Sequence, residues 1–233
     1  MAKIKGIVFD VDGTLYDQKL LRILVAGRMF LSFIATPKKF SHELKVIREF
    51  RKIQEKLREN DLTVINETTQ VKLTSEKLKL HYNDVFKIIN KWFNIIPLPL
   101  ISICKRNGLK TTFSKLSGEG YKIGLFSDYS SEDKAAALGI KKFLQAIVCS
   151  SDPDVGKFKP DSIGFVRVAK KLNLETNEIV YVGDRVDVDV VGAENAGMIP
   201  LLIGKISFKE RSYYSCYRFK SITGLINKIN DKV

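Results

Sequence analysis

A short apolar segment that ends in two acidic residues constrains this chain more than any other feature. Ile7, Val8 and Phe9 are typical of an interior parallel strand, and Asp10 and Asp12 follow them before a Gly-Thr turn. Ligands bind at the carboxyl ends of strands in an open α/β sheet. Two carboxylates at this spacing share one face and repel each other unless a cation or a shared proton lies between them. The pattern predicts a divalent-metal site; an ordinary Asx-type turn is the alternative.

Three further segments of similar form follow along the chain. One strand ends at Ser127, a later loop places Lys159 before Pro160, and another strand leads to Asp184. The four segments are DVDGT at 10–14, KIGLFSD at 122–128, GKFKPD at 156–161 and IVYVGDRVDVD at 179–189. In this order and spacing they resemble the haloacid dehalogenase-like (HAD) superfamily of aspartate-nucleophile phosphohydrolases, and more narrowly its phosphoglycolate-phosphatase-like members. The resemblance extends from the first residue to the region of Gly204.

Asp10 is the predicted nucleophile, and Asp12 is the predicted acid and base. A carboxylate can attack phosphorus and form an aspartyl-phosphate, which divides one difficult hydrolysis into two easier displacements. Asp12 is close enough in sequence to protonate the leaving oxygen and then to take a proton from water. The resemblance implies the same two roles. Because charge spreads over three oxygens of the transferred group, cations and hydrogen-bond donors are expected around it.

Ser127 and Lys159 are predicted to supply those groups and to bind the substrate phosphate. Ser127 ends a buried strand, so its hydroxyl and the following backbone N–H groups point toward a phosphate. Lys157 lies in the same loop as Lys159, but only Lys159 precedes a proline, as the family's lysine does; Lys157 is therefore interpreted as a solvated charge. Asp128 is a further candidate for substrate binding, with a helix cap near Ser131 as the alternative.

Mg²⁺ is the predicted cofactor, because carboxylate oxygens completed by water suit this ion. The predicted ligands are Asp10, Asp184 and the backbone carbonyl of Asp12. The resemblance implies an outer position for Asp189, where it would hold waters or Lys159. Asp187 matches no family role and is expected to cap a helix or face solvent. Three cysteines and two histidines without metal-ligand spacing argue against a zinc site.

Residues 17–99 interrupt the strand pattern with helical periodicity. Helices are predicted at 20–35, 40–60 and 74–94. This insertion is therefore predicted to be an all-helical cap, which resembles the family's first cap type. Residues 1–16 and 100–233 are predicted to form the HAD-like core, a Rossmann-like, doubly wound, mainly parallel α/β sheet that includes a short strand at 217–220.

Length and composition indicate a globular chain and agree with an enzyme of this kind. The chain has 233 residues, of which 45% are hydrophobic, and a net charge of +13. Its basic residues are scattered and accompany no base-stacking motif, so no nucleic-acid partner is expected, and a positive field would equally attract a small phosphorylated metabolite. The apolar segment 20–35 contains Arg22 and Arg28 and is shorter than the roughly 20 residues that cross a bilayer. A buried cap helix is predicted there, and no membrane partner.

A cytoplasmic location is expected, because the first strand begins at Ile4 with no apolar signal region before it. A monomer or a homodimer is expected, since a second copy could cover surplus apolar surface on segment 20–35. The predicted function is a Mg²⁺-dependent phosphatase that hydrolyses a small phosphate monoester, such as phosphoglycolate, a sugar phosphate or a nucleotide. Two alternatives remain: a phosphotransferase or phosphomutase of the same fold, and a non-catalytic binding protein on a HAD scaffold. Asp12 beside Asp10 argues against a dehalogenase.

Overall fold

The protein divides into two compact units. The computed structural model describes residues 3–59, 67–204, 214–216 and 219–231. Residues 1–17 and 105–233 make up the first unit, and residues 18–104 make up the second. The second unit is thus inserted into the first along the chain. The junctions predicted from the sequence are at 16/17 and 99/100.

The first unit contains a six-stranded parallel sheet. Its strands are β1 (Gly6–Phe9), β2 (Lys122–Ser127), β3 (Ala146–Cys149), β4 (Ile179–Gly183), β5 (Ile199–Ile203) and β6 (Tyr214–Cys216). In space they follow the order β3-β2-β1-β4-β5-β6, and each neighbouring pair is parallel. All residues of β1 and β4 are buried, as expected for apolar strands covered on both faces. This strand order confirms the predicted Rossmann-like, doubly wound α/β fold.

The strand order of the sheet reverses at β1. This strand pairs with β2 on one side and with β4 on the other, and the register places Phe9 beside Leu125 and Val182. The carboxyl ends of the three strands therefore lie side by side. Ligands of doubly wound sheets bind at this point of the fold.

The regular elements among the described residues of the second unit are all helical. Its helices are α1 (Gln18–Ala35), α2 (Pro37–Glu59), α3 (Glu67–Leu78), α4 (Tyr82–Asn90) and α5 (Leu98–Cys104), with a π-helical turn at Lys91–Ile95. Apolar residues of α2, α3 and α4 pack into one cluster that includes Phe50, Val71 and Ile89. The buried Glu43 carboxylate of α2 accepts hydrogen bonds from Trp92 Nε1 at 2.6 Å and Lys91 Nζ at 2.8 Å, so its charge is paired.

The prediction of one helix over 74–94 is wrong. The chain leaves the helical conformation at Lys79, whose φ is 54°. Leu80 N donates to Ser75 O at 3.0 Å and Lys79 N donates to Glu76 O at 3.2 Å. These bonds form a Schellman-type helix end, which an apolar repeat of helical period does not reveal.

The prediction that α1 is buried is also wrong. Leu21 is its one buried residue, whereas Ile23, Phe30 and Ile34 are 68%, 62% and 62% exposed. Composition predicted a helix here but did not show which of its faces neighbouring elements cover. None of the described helices is both long enough and apolar enough to cross a membrane.

Further helices accompany the sheet. They are α6 (Leu109–Gly118), α7 (Glu132–Ala137), α8 (Ile163–Leu172), α9 (Val191–Asn195) and α10 (Ile222–Asn230). Phe165 of α8 contacts Phe126 and Tyr181 edge-on, with ring centroids 4.9 and 4.7 Å apart. Such pairs each stabilise a core by about 1 kcal/mol beyond their buried area. The strand predicted at 217–220 is wrong where the structure describes it, because Phe219–Ser221 form a 3₁₀ turn; residues 217–218 lie outside the described residues.

Candidate active site

Strand ends bring the predicted site residues to one edge of the sheet. Asp10 follows β1, Ser127 is the last residue of β2 and Asp184 follows β4. Since β1 lies between the other two strands, these three residues are neighbours in space although they are distant in sequence. Asp10 and Ser127 are buried, and Asp184 is half-buried.

Lys159 lies at the centre of this site. Its Nζ donates to Asp10 Oδ1 at 2.6 Å, to Asp189 Oδ1 at 2.7 Å and to Tyr181 Oη at 3.2 Å. The Tyr181 hydroxyl donates in turn to Phe126 O at 3.1 Å. Only 4% of Lys159 is exposed. Burial by itself lowers the pKa of a lysine, but the charges of Asp10 and Asp189 outweigh it and hold the pKa of Lys159 well above its ordinary value. The ammonium group therefore remains charged.

Asp12 contacts a different lysine. Lys134 Nζ of α7 donates to both carboxylate oxygens of Asp12, at 2.7 and 2.8 Å, and the Tyr16 hydroxyl donates to Oδ1. Burial opposes ionisation of Asp12, but Lys134 and Tyr16 favour it more strongly, so the pKa of Asp12 lies below its ordinary value. The two aspartates of the first motif therefore have different environments.

Asp189 is buried and accepts hydrogen bonds at both of its carboxylate oxygens. Lys159 Nζ donates to its Oδ1, which also lies 3.5 Å from the Tyr181 hydroxyl, and the backbone N–H groups of Asp184 and Arg185 donate to its Oδ2 at 3.2 and 3.1 Å. Asp189 therefore holds both Lys159 and the loop that carries Asp184. Asp187, by contrast, forms an ion pair with Arg185 and is largely exposed.

The contacts of Asp128 lie with the loop that carries Lys159. Asp128 Oδ1 accepts from Lys159 N at 3.0 Å and from Ser150 Oγ at 3.2 Å. The residue before α7 is Ser131, so Asp128 is not the cap of that helix. Substrate binding by Asp128 stays a prediction. Lys157, the second lysine of the loop, forms an ion pair with Asp161 at 2.8 Å and lies outside the buried cluster.

Three carboxylates of the site are close enough to share a cation. One ligand oxygen from each of Asp10, Asp184 and Asp189 lies within 4.8 Å of the others. Asp184 Oδ1 is buried and has no hydrogen-bond partner among the described residues. Burial raises the pKa of Asp10 to about 8 and that of Asp184 to about 6, and the Asp189 charge adds to both shifts. Ionised forms of these groups need a further positive charge, so this donor set fits Mg²⁺.

Gly13 gives the Asp184 carboxylate its space. Its φ is 98°, and a Cβ at this position would lie 2.3 Å from Asp184 Oδ2. Arg106 holds the same turn, because its Nε donates to Thr14 O at 2.8 Å and its Nη2 to Gly13 O at 2.5 Å. The glycine of the first motif is therefore required by a residue of the fourth motif.

The sequence profile of a family described as haloacid dehalogenase-like hydrolase matches residues 4–197 of this chain. The chain belongs to this family. The match covers all four motifs, and it confirms both the predicted HAD membership and the prediction that the protein is an enzyme of the hydrolase class.

Two relatives of this HAD-like hydrolase carry the same name. The glyceraldehyde 3-phosphate phosphatase of Methanopyrus kandleri is 26% identical over 220 residues, which cover 89% of this chain and 87% of the relative. That of Methanocaldococcus jannaschii is 26% identical over 246 aligned positions, covering 98% of each chain. The crystal structure of a 2-haloacid dehalogenase from Pseudomonas syringae has a TM-score of 0.71 at 17% identity, over 97% of this chain and 99% of that one. This last likeness shows the fold alone.

Three side chains of this HAD-like site were not predicted from the sequence. Tyr181 was visible as a tyrosine within a buried apolar strand, where a hydroxyl needs a partner. Lys134 precedes Leu138 by four positions and so shares the buried face of α7, where a lysine needs an acidic partner. Tyr16 carried no comparable signal, because its contact with Asp12 depends on the conformation of the turn between them.

Proposed function

We propose that this HAD-like hydrolase is a Mg²⁺-dependent phosphatase that acts on a small phosphate monoester through an aspartyl-phosphate at Asp10. The observation that carries the proposal is the contact of the buried Lys159 ammonium with Asp10 and Asp189 at the strand ends. This arrangement places a cation where phosphate charge must be offset, beside a carboxylate that can attack phosphorus. The name that the two relatives share supports glyceraldehyde 3-phosphate as the first substrate to test.

The proposed reaction consists of two displacements. In the first, a carboxylate oxygen of Asp10 bonds to phosphorus while the bond to the leaving group breaks, and protonated Asp12 gives its proton to the departing oxygen. In the second, Asp12 takes a proton from water as the water oxygen bonds to phosphorus and the Asp10–phosphate bond breaks. Lys159 offsets the phosphate charge in both steps, and the Ser127 hydroxyl donates to a phosphate oxygen.

Asp10, Asp184 and the backbone carbonyl of Asp12 are the proposed Mg²⁺ ligands. When bound, Mg²⁺ supplies positive charge that offsets the charges of the carboxylates and the phosphate. Asp189 is proposed to support the site from the outside, because both of its oxygens already accept hydrogen bonds from Lys159 and the backbone.

The test is phosphate release from a panel that includes glyceraldehyde 3-phosphate, phosphoglycolate, sugar phosphates and nucleotides, with Mg²⁺ or with EDTA. Wild-type protein is expected to release phosphate from at least one of them in Mg²⁺ and from none in EDTA. Asp10→Asn is expected to lower kcat by at least about 10³-fold, because the nucleophile is lost. Asp187→Asn is the matched control, since it removes an exposed carboxylate from the fourth motif. Its kcat is expected to stay near that of wild type.

Two results would contradict this proposal. Turnover that survives Asp10→Asn would exclude Asp10 as the nucleophile. A wild-type protein that binds Mg²⁺ but releases phosphate from no compound would instead favour a phosphotransferase that needs a second substrate, or a binding role.

Three predictions about the whole protein accompany the proposed function, and they concern its cap, its location and its oligomeric state. Residues 18–104, inserted after the first motif, are proposed to be the family's helical cap. A cytoplasmic location and a monomeric or homodimeric state stay predictions.

A further inference from the structure

Lys134 is a buried lysine outside the four motifs. It lies on α7, and only 9% of the residue is exposed. Its Nζ contacts both oxygens of Asp12, at 2.7 and 2.8 Å. Glu132, on the same helix, forms an ion pair with Lys141, and both of those side chains are more than half exposed. Lys134 therefore points into the site, whereas Glu132 of the same helix and its partner Lys141 lie at the surface.

The contacts around Asp12 fix its carboxylate in one orientation. Lys134 approaches both oxygens from α7, and the Tyr16 hydroxyl, two residues after the first motif, donates to Oδ1. A carboxylate with donors on both oxygens cannot rotate about its last bond without breaking at least one hydrogen bond. General acid and base groups act only within hydrogen-bond reach of the atom that gains or loses the proton.

Lys134 gives the Asp12 carboxylate a cation other than Lys159. The Lys159 ammonium pairs with Asp10 and Asp189, and the Lys134 ammonium pairs with Asp12. Separate lysines leave each aspartate free for a separate task.

We propose that Lys134 is a positioning residue that holds the Asp12 carboxylate where it exchanges a proton with the leaving oxygen and then with water. The inference rests on the proposed phosphatase function. Lys134 itself neither gives nor takes a proton: the proton that Asp12 donates as the P–O bond breaks is replaced by one from the attacking water. A displaced acid raises the barrier for leaving groups that must be protonated, because a shift of about 1 Å can cost about 10²-fold in rate.

The experiment compares two leaving groups. Glyceraldehyde 3-phosphate releases an alkoxide that needs a proton, whereas 4-nitrophenyl phosphate releases a stable phenolate that does not. Lys134→Met is expected to lower kcat/KM for glyceraldehyde 3-phosphate by about 10²-fold and for 4-nitrophenyl phosphate by less than about tenfold. Lys141→Met is the control, because it removes the exposed lysine that pairs with Glu132 of α7. Its kcat/KM is expected to stay within about twofold of the wild-type value for both substrates.

A second measurement keeps the test valid if Lys134→Met folds poorly. Lys134→Gln retains a hydrogen-bond donor without the charge and is expected to show the same selective loss. In an Asp12→Asn background, Lys134→Gln is expected to cost no more than about threefold, because the group that it positions has already lost its function.

The outcomes separate this inference from the function on which it rests. If wild-type protein hydrolyses neither 4-nitrophenyl phosphate nor any compound of the panel, the phosphatase proposal fails and the inference fails with it. If another alkyl phosphate of the panel is the better substrate, it replaces glyceraldehyde 3-phosphate in the comparison. If wild-type protein is active and the Lys134 variants lose kcat/KM equally on both substrates, or lose none, only the role of Lys134 is overturned. Equal losses would indicate that Lys134 supports the fold and not the proton transfer.

Discussion

At the scale of single residues, the site consists of aspartates that each have a particular partner. Asp10 pairs with Lys159, Asp12 with Lys134, and Asp189 with Lys159 and two backbone N–H groups. The pKa of Asp10 is raised, mainly by burial, while that of Asp12 is lowered because Lys134 and Tyr16 outweigh burial. A lowered pKa suits Asp12 as the base that takes a proton from water, whereas it must take up a proton before it acts as the acid. Asp10 needs further positive charge, such as a bound cation supplies, to be ionised as a nucleophile.

Gly13 offers a test of the contact between the first and fourth motifs. Gly13→Ala would place a Cβ 2.3 Å from Asp184 Oδ2, at a backbone φ of 98°. We expect the affinity for Mg²⁺ to fall at least about tenfold and the free energy of unfolding to fall by about 1–3 kcal/mol, because Asp184 must move and the backbone is strained. Calorimetric Mg²⁺ titration and urea denaturation measure the two effects.

Gly120→Ala is the matched control for this change. Gly120 has a φ of 84°, but no atom lies within 4 Å of the Cβ that would be added. The control is expected to lose about 1 kcal/mol of stability and no Mg²⁺ affinity. Equal Mg²⁺ affinity in the two variants would contradict the role assigned to Gly13.

At the scale of elements, strand ends and helix ends differ in how they are encoded. The strands β1, β2 and β4 are short apolar runs, and each ends at, or immediately before, a residue of the site. The end of α3 depends instead on one residue, Lys79, in a left-handed conformation within an otherwise apolar, helix-period segment. Glycine is the residue usually found at this position of a Schellman motif.

Lys79→Gly is therefore expected to stabilise the protein. Glycine adopts φ near 54° without the steric cost that lysine has, so the free energy of unfolding should rise by about 0.5–1 kcal/mol. Lys45→Gly is a control of opposite sign, because Lys45 is exposed in the interior of α2, where glycine costs about 1 kcal/mol. Urea denaturation of both variants measures the difference. A loss of stability in Lys79→Gly would contradict the helix-end assignment.

At the scale of the whole molecule, the sheet concentrates negative charge at one place. Asp10 from the first motif meets Asp184 and Asp189 from the distant fourth motif where the strand order reverses. Both Asp10 and Asp184 have a pKa in the folded protein above the ordinary value of 3.8. Without a cation, their ionisation therefore opposes folding.

This gives a prediction for stability against pH. A carboxyl group whose pKa is raised by folding makes its full contribution to the free energy of unfolding below pH 3.8. This contribution is lost as pH rises through the folded pKa, which is about 6 for Asp184 and about 8 for Asp10. Because Mg²⁺ binds the ionised groups, the rise in Tm that it causes should be larger at pH 8 than at pH 5.

Thermal unfolding with EDTA or with Mg²⁺ at the two pH values measures this effect. Asp184→Asn is expected to reduce the rise in Tm at pH 8, while the exposed Asp187→Asn is expected to leave it unchanged. A rise in Tm that is equal at pH 5 and pH 8 would contradict the assignment of these carboxylates to the metal.

The sequence by itself determined the fold class and the residues that meet at the strand ends. Buried parallel strands are local apolar runs, and a parallel order places their carboxyl ends together, so the meeting of Asp10, Ser127 and Asp184 at one edge follows from the sequence pattern. Lys159 could be distinguished from Lys157 only by the proline after it and the family resemblance, and the structure places Lys159 alone in the buried cluster.

Tertiary structure alone decided the partners of these residues and the exposure of the helices. Lys134 and Tyr181 lie in elements whose local sequence patterns indicate burial but do not predict which residue each side chain contacts. The exposure of α1 likewise depends on which neighbours cover it. Hydrophobic periodicity is a property of adjacent residues along the chain, whereas ion pairs and covered faces are set by the packing of segments that are distant in sequence.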